Sequence, residues 1–144
     1  MSLLTALAVD LDNRGHGIYK PDASFDNEEW GISVEALLIH PSQLIVITGY
    51  GGAESSSGMN YDMPRIQVRV RGGLDTTVSR SKCQSIYNEW HGLSHLTVDG
   101  EDIQLIIGLN SGPVYFGPDG NGRHQHVTNF EVTVKNPNRV GRSS

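Results

Sequence analysis

Two histidines two residues apart, His124 and His126, bring this chain closest to a metal site. On an extended strand they share a face, so both rings could reach one ion. Two ligands make half a zinc site, and no cysteine or acid at ligand spacing supplies the rest. His91 and His95 are four apart, but Gly92 lies between them and breaks the helix that would align them. Gly49-Tyr50-Gly51-Gly52 follows an apolar run as a phosphate loop would, yet no Gly-Lys-Ser/Thr comes after it. Gly108-Leu109-Asn110-Ser111-Gly112 resembles a nucleophile elbow with its spacing wrong by one residue. Asp119 and Asn121 open like a calcium loop whose twelfth position would be Phe130, where a bidentate Glu is required. Every chemistry is left incomplete. The expectation is a protein that is not an enzyme and needs no cofactor or metal, with a metal-dependent hydrolase built on His124 and His126 as a remote alternative.

One row of functional groups remains. In Arg65-Ile66-Gln67-Val68-Arg69-Val70-Arg71 the apolar residues alternate with the polar ones, which is the pattern of a half-buried strand. Arg65, Arg69 and Arg71 then line its polar face. They could be solvated, could pair with acids across a subunit boundary, or could touch passing nucleic acid. Gly72-Gly73 ends the strand, and Cys83, Ile86, Tyr87 and Trp90 follow at the i, i+3, i+4, i+7 spacing of one helical stripe. Ser79 is read as the N-cap and Gly92 as the stop. A strand and an amphipathic helix packed back to back organise the chain.

Composition narrows the class. A chain of 144 residues is one domain, able to bury about 68% of its unfolded surface. No apolar run approaches the roughly 20 residues of a membrane helix, and Met1-Ser2-Leu3-Leu4 does not open like a secretory signal, so a cytoplasmic origin is expected. The single cysteine, Cys83, is read as a small core residue. A net charge of −5 argues against a general nucleic-acid binder.

The remaining elements follow in order. Residues 2–13 place Leu3, Leu4, Leu7 and Leu11 on one helical face, with Asp10 and Asp12 elsewhere. The acidic stretch from Ile18 to Gly31 reads as irregular, pinned by Tyr19, Phe25 and Trp30. Residues 32–39 suit either a short helix or a strand, and Pro41 ends them. Gln43 to Thr48 is a strand covered on both faces. Gly49 to Met63 has four glycines and no periodicity, and reads as a long loop that is either floppy or orders against a neighbouring chain. Asp99-Gly100 joins two extended runs as a hairpin. Val114-Tyr115-Phe116 extends briefly before the 117–122 tip, and 124–134 returns as a long strand with Thr128, Phe130, Val132 and Val134 on one face. The whole is expected to be α+β: one domain over 1–136, a mixed, mostly antiparallel sheet of five or six strands with two helices, and a flexible tail over 137–144.

The second half carries a resemblance. Tyr61-Asp62-x-Pro64 precedes Ile66-Gln67-Val68-Arg69-Val70-Arg71-Gly72; Ile86-Tyr87, His91-Gly92-Leu93 and Gln104-Leu105-Ile106 follow. Ser111-Gly112-Pro113-x-Tyr115, Asp119-x-Asn121-Gly122-Arg123-His124 and Asn129-Phe130 complete the series. In order and spacing this resembles the minor capsid or tail terminator proteins of long-tailed bacteriophages, related to the lambda-type tail terminator. Trp90 before His91, and His126, depart from that pattern. The resemblance implies a virion subunit at the tail–neck junction, assembled in the host cytoplasm, that closes into a six-membered ring on the finished tail tube. Such a ring stops tube growth and docks the head–tail connector. The partners implied are further copies of itself, the major tail tube protein, the connector or stopper, the tape measure protein and DNA in transit, with no membrane. Another neck component is the alternative. The subunit or tube contacts expected under this resemblance are Tyr50, Gly51, Gly52, Tyr61, Arg65, Arg69, Arg71, Tyr115, Asp119, Asn121, Arg123 and His124.

Overall fold

The structure, a computed structural model, describes residues 3–22, 25, 29–53 and 61–135, the side chains of 52 and 53 excepted. The chain runs α1 (Leu3–Asn13), β1 (Ile18–Tyr19), β2 (Trp30–Val34), β3 (Gln43–Ala53), β4 (Tyr61–Arg71) and α2 (Thr76–Trp90). It continues through β5 (Ser94–Val98), β6 (Glu101–Gly108), β7 (Val114–Pro118) and β8 (His124–Lys135). One sheet of eight strands forms in the order β1-β2-β3-β4-β8-β6-β5, and β7 pairs with β8 beside the end of β6. The sheet is mixed and mostly antiparallel, as expected, with parallel pairing confined to β1–β2 and β2–β3. Eight strands exceed the five or six expected. The excess comes from two-residue β1, too short to show a period, and from β2, where the choice between helix and strand falls to strand. Its partner decides this: Ile32 and Ser33 lie opposite Ile45 and Val46, so backbone groups that a helix would pair within itself are paired to β3 instead.

Both helices lie on one face. Ile66, Val68 and Val70 of β4 are fully buried beneath them, with Phe130, Val132 and Val134 of β8 and Ile103 and Ile106 of β6 in the same core. The α2 stripe buries Cys83, Ile86 and Trp90, and burial pushes the Cys83 thiol up to about 12, so it stays a neutral core group. The α2 N-cap is Asp75, not Ser79: its carboxylate accepts from the Thr77 N–H at 2.9 Å, while Ser79 lies inside the first turns. Gly92, at φ +82°, ends the helix as read. On α1, Leu7 and Leu11 are buried as expected, but Asp10 is buried as well. It accepts from Trp90 Nε1 at 2.8 Å and from Arg14 Nε at 2.7 Å, which ties the two helices together.

The opposite face of the sheet is partly covered by the crossover 35–42, which the parallel β2–β3 pair requires. A Cβ on Gly31 would stand 2.9 Å from Pro41 Cγ and 3.3 Å from Leu44, so the crossover lies directly on the sheet. Leu44 and Val46 are buried there while Ile45 and Ile47 join the main core, which makes β3 the doubly covered strand expected. The long loop expected over 49–63 is mostly strand. Gly51, Gly52 and Ala53 pair with Arg65, Pro64 and Met63, and Tyr61 and Asp62 pair with Lys135 and Val134. Glycine-rich sequence hid this because its pairing is made by backbone alone, with a bulge between Gly49 and Gly51. Residues 54–60 and the tail expected over 137–144 lie outside the described residues.

Candidate assembly surface

The register sorts the expected contact residues into two ends and a face. At one end of the sheet Leu44, Arg71, Gln125 and Gly117 stand abreast on β3, β4, β8 and β7. At the other, Ala53 pairs with Met63 and Tyr61 with Lys135, next to the Asp99-Gly100 turn of β5–β6. Tyr50, Gly51, Gly52 and Tyr61 belong to this second end. Tyr50 is about half exposed (49%), and Gly51 takes φ +119°, a conformation that favours glycine. Arg65 sits in the same stretch of β4, its Nε 3.4 Å from Glu131 on the neighbouring strand, an exposed pair of small energetic weight.

The first end is a built cluster. Asp119 accepts from the N–H groups of Asn121 and Arg123, each at 2.9 Å, and from Arg123 Nε at 2.8 Å. Its own desolvation acts to raise the carboxyl, but these donors and the guanidinium outweigh it and hold Asp119 below its ordinary value. Arg123 reaches across to donate to the Ile39 carbonyl at 2.9 Å. Arg71 reaches the same segment, donating to the carbonyls of Pro41 at 2.7 Å, Ser42 at 3.1 Å and Ile39 at 3.2 Å. Its side chain is 2% exposed, with Asp119 at 3.9 Å. Burial and the nearby Arg123 both lower its pKa, with Asp119 opposing them. Of the readings left open for Arg71, solvation on the polar face beside Arg69 is therefore corrected. The alternation of β4 is as read, but the crossover covers that face at this end. Arg71 fastens it, a role that spacing along one strand does not reveal.

Arg69, two residues earlier, remains near the surface. Its guanidinium lies 4.2 Å from the centroid of the Phe116 ring, and it lines a depression of about 160 Å3 with Glu35, Leu37, Val46, Thr48 and Gln67. On the helix-bearing face of β7, Tyr115 packs against both histidines read as a metal pair. Its hydroxyl bonds His124 Nδ1 at 2.8 Å, and its ring meets His126 edge-on at 5.3 Å. His126 Nδ1 bonds Ser79 Oγ at 2.7 Å. Burial, with help from Arg80 and His124, lowers the His126 pKa, so the ring is held neutral. Among the described residues no group of three or more His, Cys, Asp or Glu gathers as metal ligands would.

Reading residue types alone missed the apolar part of this end. Val114 and Phe116 are exposed at 47% and 51%, Leu37 and Ile39 on the crossover at 49% and 69%, and Leu74 before α2 at 78%. The available signal was Val114-Tyr115-Phe116, three large apolar residues in a row between Pro113 and Gly117, too short to be a core strand. The arrangement is a surface of carbonyl-anchored loops, exposed aromatics and free strand edge, suited to fitting against other chains.

No helix among the described residues is long and apolar enough to cross a membrane. Comparison with curated proteins yields no match. The family model described as bacteriophage tail terminator protein matches residues 11–136, which takes in every element from the end of α1 to β8. The chain thus belongs to the bacteriophage tail terminator family and is a structural protein of a phage tail.

Proposed function

We propose that this protein closes into a ring, six-membered by the resemblance above, on the last layer of the tail tube. There it stops tube growth and presents the surface to which the head–tail connector docks, with DNA passing through the channel. The family match over residues 11–136 carries this reading. The geometry supports it: both sheet ends present backbone and aromatic surface, and the chain bears a net charge of −5, which lets DNA slide rather than grip. The partners are further copies, the major tail tube protein and the connector, with the tape measure protein within reach of the channel. The place of action is the tail–neck junction of the virion, after assembly in the host cytoplasm.

Within this reading residues 49–63, with Tyr50, Gly51, Gly52 and Tyr61, and the 117–123 turn, with Asp119, Asn121 and Arg123 followed by His124, supply ring or tube contacts. Joining Ala53 to Tyr61 by a two-residue turn preserves the strand pairs and should leave a folded subunit that no longer assembles or caps tubes. Light scattering and electron microscopy of tube ends read the outcome, and normal assembly of the shortened chain refutes the contact. Particles made without the protein test the function itself. Tails of irregular length that fail to join heads are expected; uniform tails on filled heads would refute it.

A further inference from the structure

The margin of the sheet beyond β8 is stepped. Strands β6 and β7 follow one another along the same side of β8, Gly108 opposite Phe130 and Val114 opposite Val127. Strand β5 covers only the first of them, Ser94 to Val98 lying against Leu105 to Glu101. It therefore stands one strand further out than β7, and among the described residues neither has a strand on its outer side. In an antiparallel pair alternate backbone N–H and C=O groups point away from the partner, so both edges present unpaired groups outward. Isolated proteins guard such edges with charge, whereas Val114, Tyr115 and Phe116 on β7 are large, uncharged and each about half exposed. On β5, His95 takes φ +56° and interrupts the strand, which leaves Leu96 to Val98 as its pairing length.

A second copy turned by half a rotation about the sheet normal fits this step. Strand β5 runs in the sense of β8, and β7 runs against it. The half rotation reverses β5 and lays it parallel to β7, in the vacant place. The same operation sets β7 of the second copy beside β5 of the first, so the contact is made twice and closes. The helix-bearing faces stay on one side. On that face Tyr115 lines a depression of about 310 Å3 with Thr76, Thr77, Arg80 and His126. The incoming strand brings Leu96 and Val98, which share this face, and Glu101, which stands opposite Val98 and so lies on it too. Because the strands are parallel, that Glu101 arrives at the His124 end of β7, which is stitched to Gly73 just before α2 and lies next to Arg80. Among the described residues neither Arg80 nor Glu101 has an ion-pair partner, and Asp75 on this side is engaged as the α2 cap. We propose that two copies of this chain associate through β5 and β7 in this way, as a closed dimer with one continuous sheet and two Arg80–Glu101 pairs across the boundary. Backbone pairing and apolar cover give affinity, and the charge pairs fix the register. The proposal concerns the free subunit and goes beyond the ring reading above.

The test uses the full chain over a concentration series, with species read by native mass spectrometry and sedimentation. The parent should be a dimer. Arg80→Glu and Glu101→Lys each set like charges across both contacts, and should weaken the dimer roughly 10-fold or more while melting near the parent temperature. Mixed in equal amounts, the two variants should form a heterodimer about as tight as the parent, since both contacts then pair opposite charges. The chain carrying both changes should dimerise as well. Should Glu101→Lys lower the melting temperature, Arg80→Glu, on the exposed side of α2, decides alone. A parent that stays monomeric, or that forms rings without a dimer, overturns the proposal. So do single variants that dimerise as well as the parent, and a mixture of well-folded variants that stays monomeric. Capping of purified tail tubes by the parent, scored by electron microscopy, tests the terminator reading separately, and either reading can fail while the other stands.

Discussion

Arg71 holds three main-chain carbonyls of the crossover with one guanidinium, at 2.7 to 3.2 Å, from a position 2% exposed. A planar fork of donors suits this task, and neither lysine nor an isosteric apolar residue can repeat it. Arg71→Met should cost about 3 kcal/mol, because the crossover carbonyls, Pro41's buried among them, lose their donor and Asp119 loses a neighbouring charge. Arg71→Lys should recover only a minor part. Urea unfolding of the three proteins measures both, and a loss below about 1 kcal/mol for methionine would show that the crossover holds without the arginine. His126 makes a different statement. Its folded pKa lies below the ordinary 6.5, with burial the largest cause. The unfolded chain therefore takes up the proton first as pH falls, so stability is whole above 6.5 and is lost below it, down to the folded value. His126→Gln keeps a partner for Ser79 without this ionisation. Between about pH 7 and about pH 5 its melting temperature should fall less steeply than the parent's; equal slopes would remove His126 from the account.

At the scale of elements, the joint between β4 and α2 sets where the helix lies on the sheet. Gly72 has no room for a side chain: a Cβ would come 2.5 Å from Ser79 N and 2.9 Å from Ser79 Cα, both helix backbone that cannot turn aside. Its N–H donates to the His124 carbonyl at 3.1 Å, and His124 N–H donates to Gly73 at 2.7 Å, so the joint is also stitched to β8. Gly72→Ala should destabilise by about 2 kcal/mol through a shift of α2, and should loosen the buried Ser79–His126 bond. Gly120→Ala, where a Cβ meets nothing within 4 Å, is the control and should stay within about 0.5 kcal/mol of the parent. Equal effects at the two positions would mean that α2 is free to move. The hairpin at Asp99-Gly100 needs no such fitting. Both residues take positive φ, 49° and 81°, as a two-residue turn between twisted strands demands.

Across the whole molecule, α1, α2, the strands from β2 to β6 and β8 contribute to one buried cluster, with Asp10–Trp90 bridging the helices through it. Among the described residues no part has a core of its own, so unfolding should be a single transition. Circular dichroism and tryptophan fluorescence should give coincident curves, and separate midpoints would reveal a subdomain. Much of this core was legible beforehand. The alternation of Ile66, Val68 and Val70, the stripe of Cys83, Ile86 and Trp90, and the face of Thr128 to Val134 are local periods, and burial follows from them because each element has one apolar side to hide. Arg65, Arg69 and Arg71 share a period too, yet their fates diverge into a surface ion pair, a ring stack and a buried anchor. That divergence depends on which segment passes over the strand, and a crossover of eight residues far along the chain carries no local signature of where it lands. The same holds for Asp10, polar by type and buried only because Trp90, eighty residues away, supplies a donor. By itself the sequence determined the class of fold, the core and the family resemblance, since these rest on near-neighbour spacing. Tertiary structure alone decided the buried anchors, the covered second face and the open edge of β7, because each is a relation between segments distant along the chain.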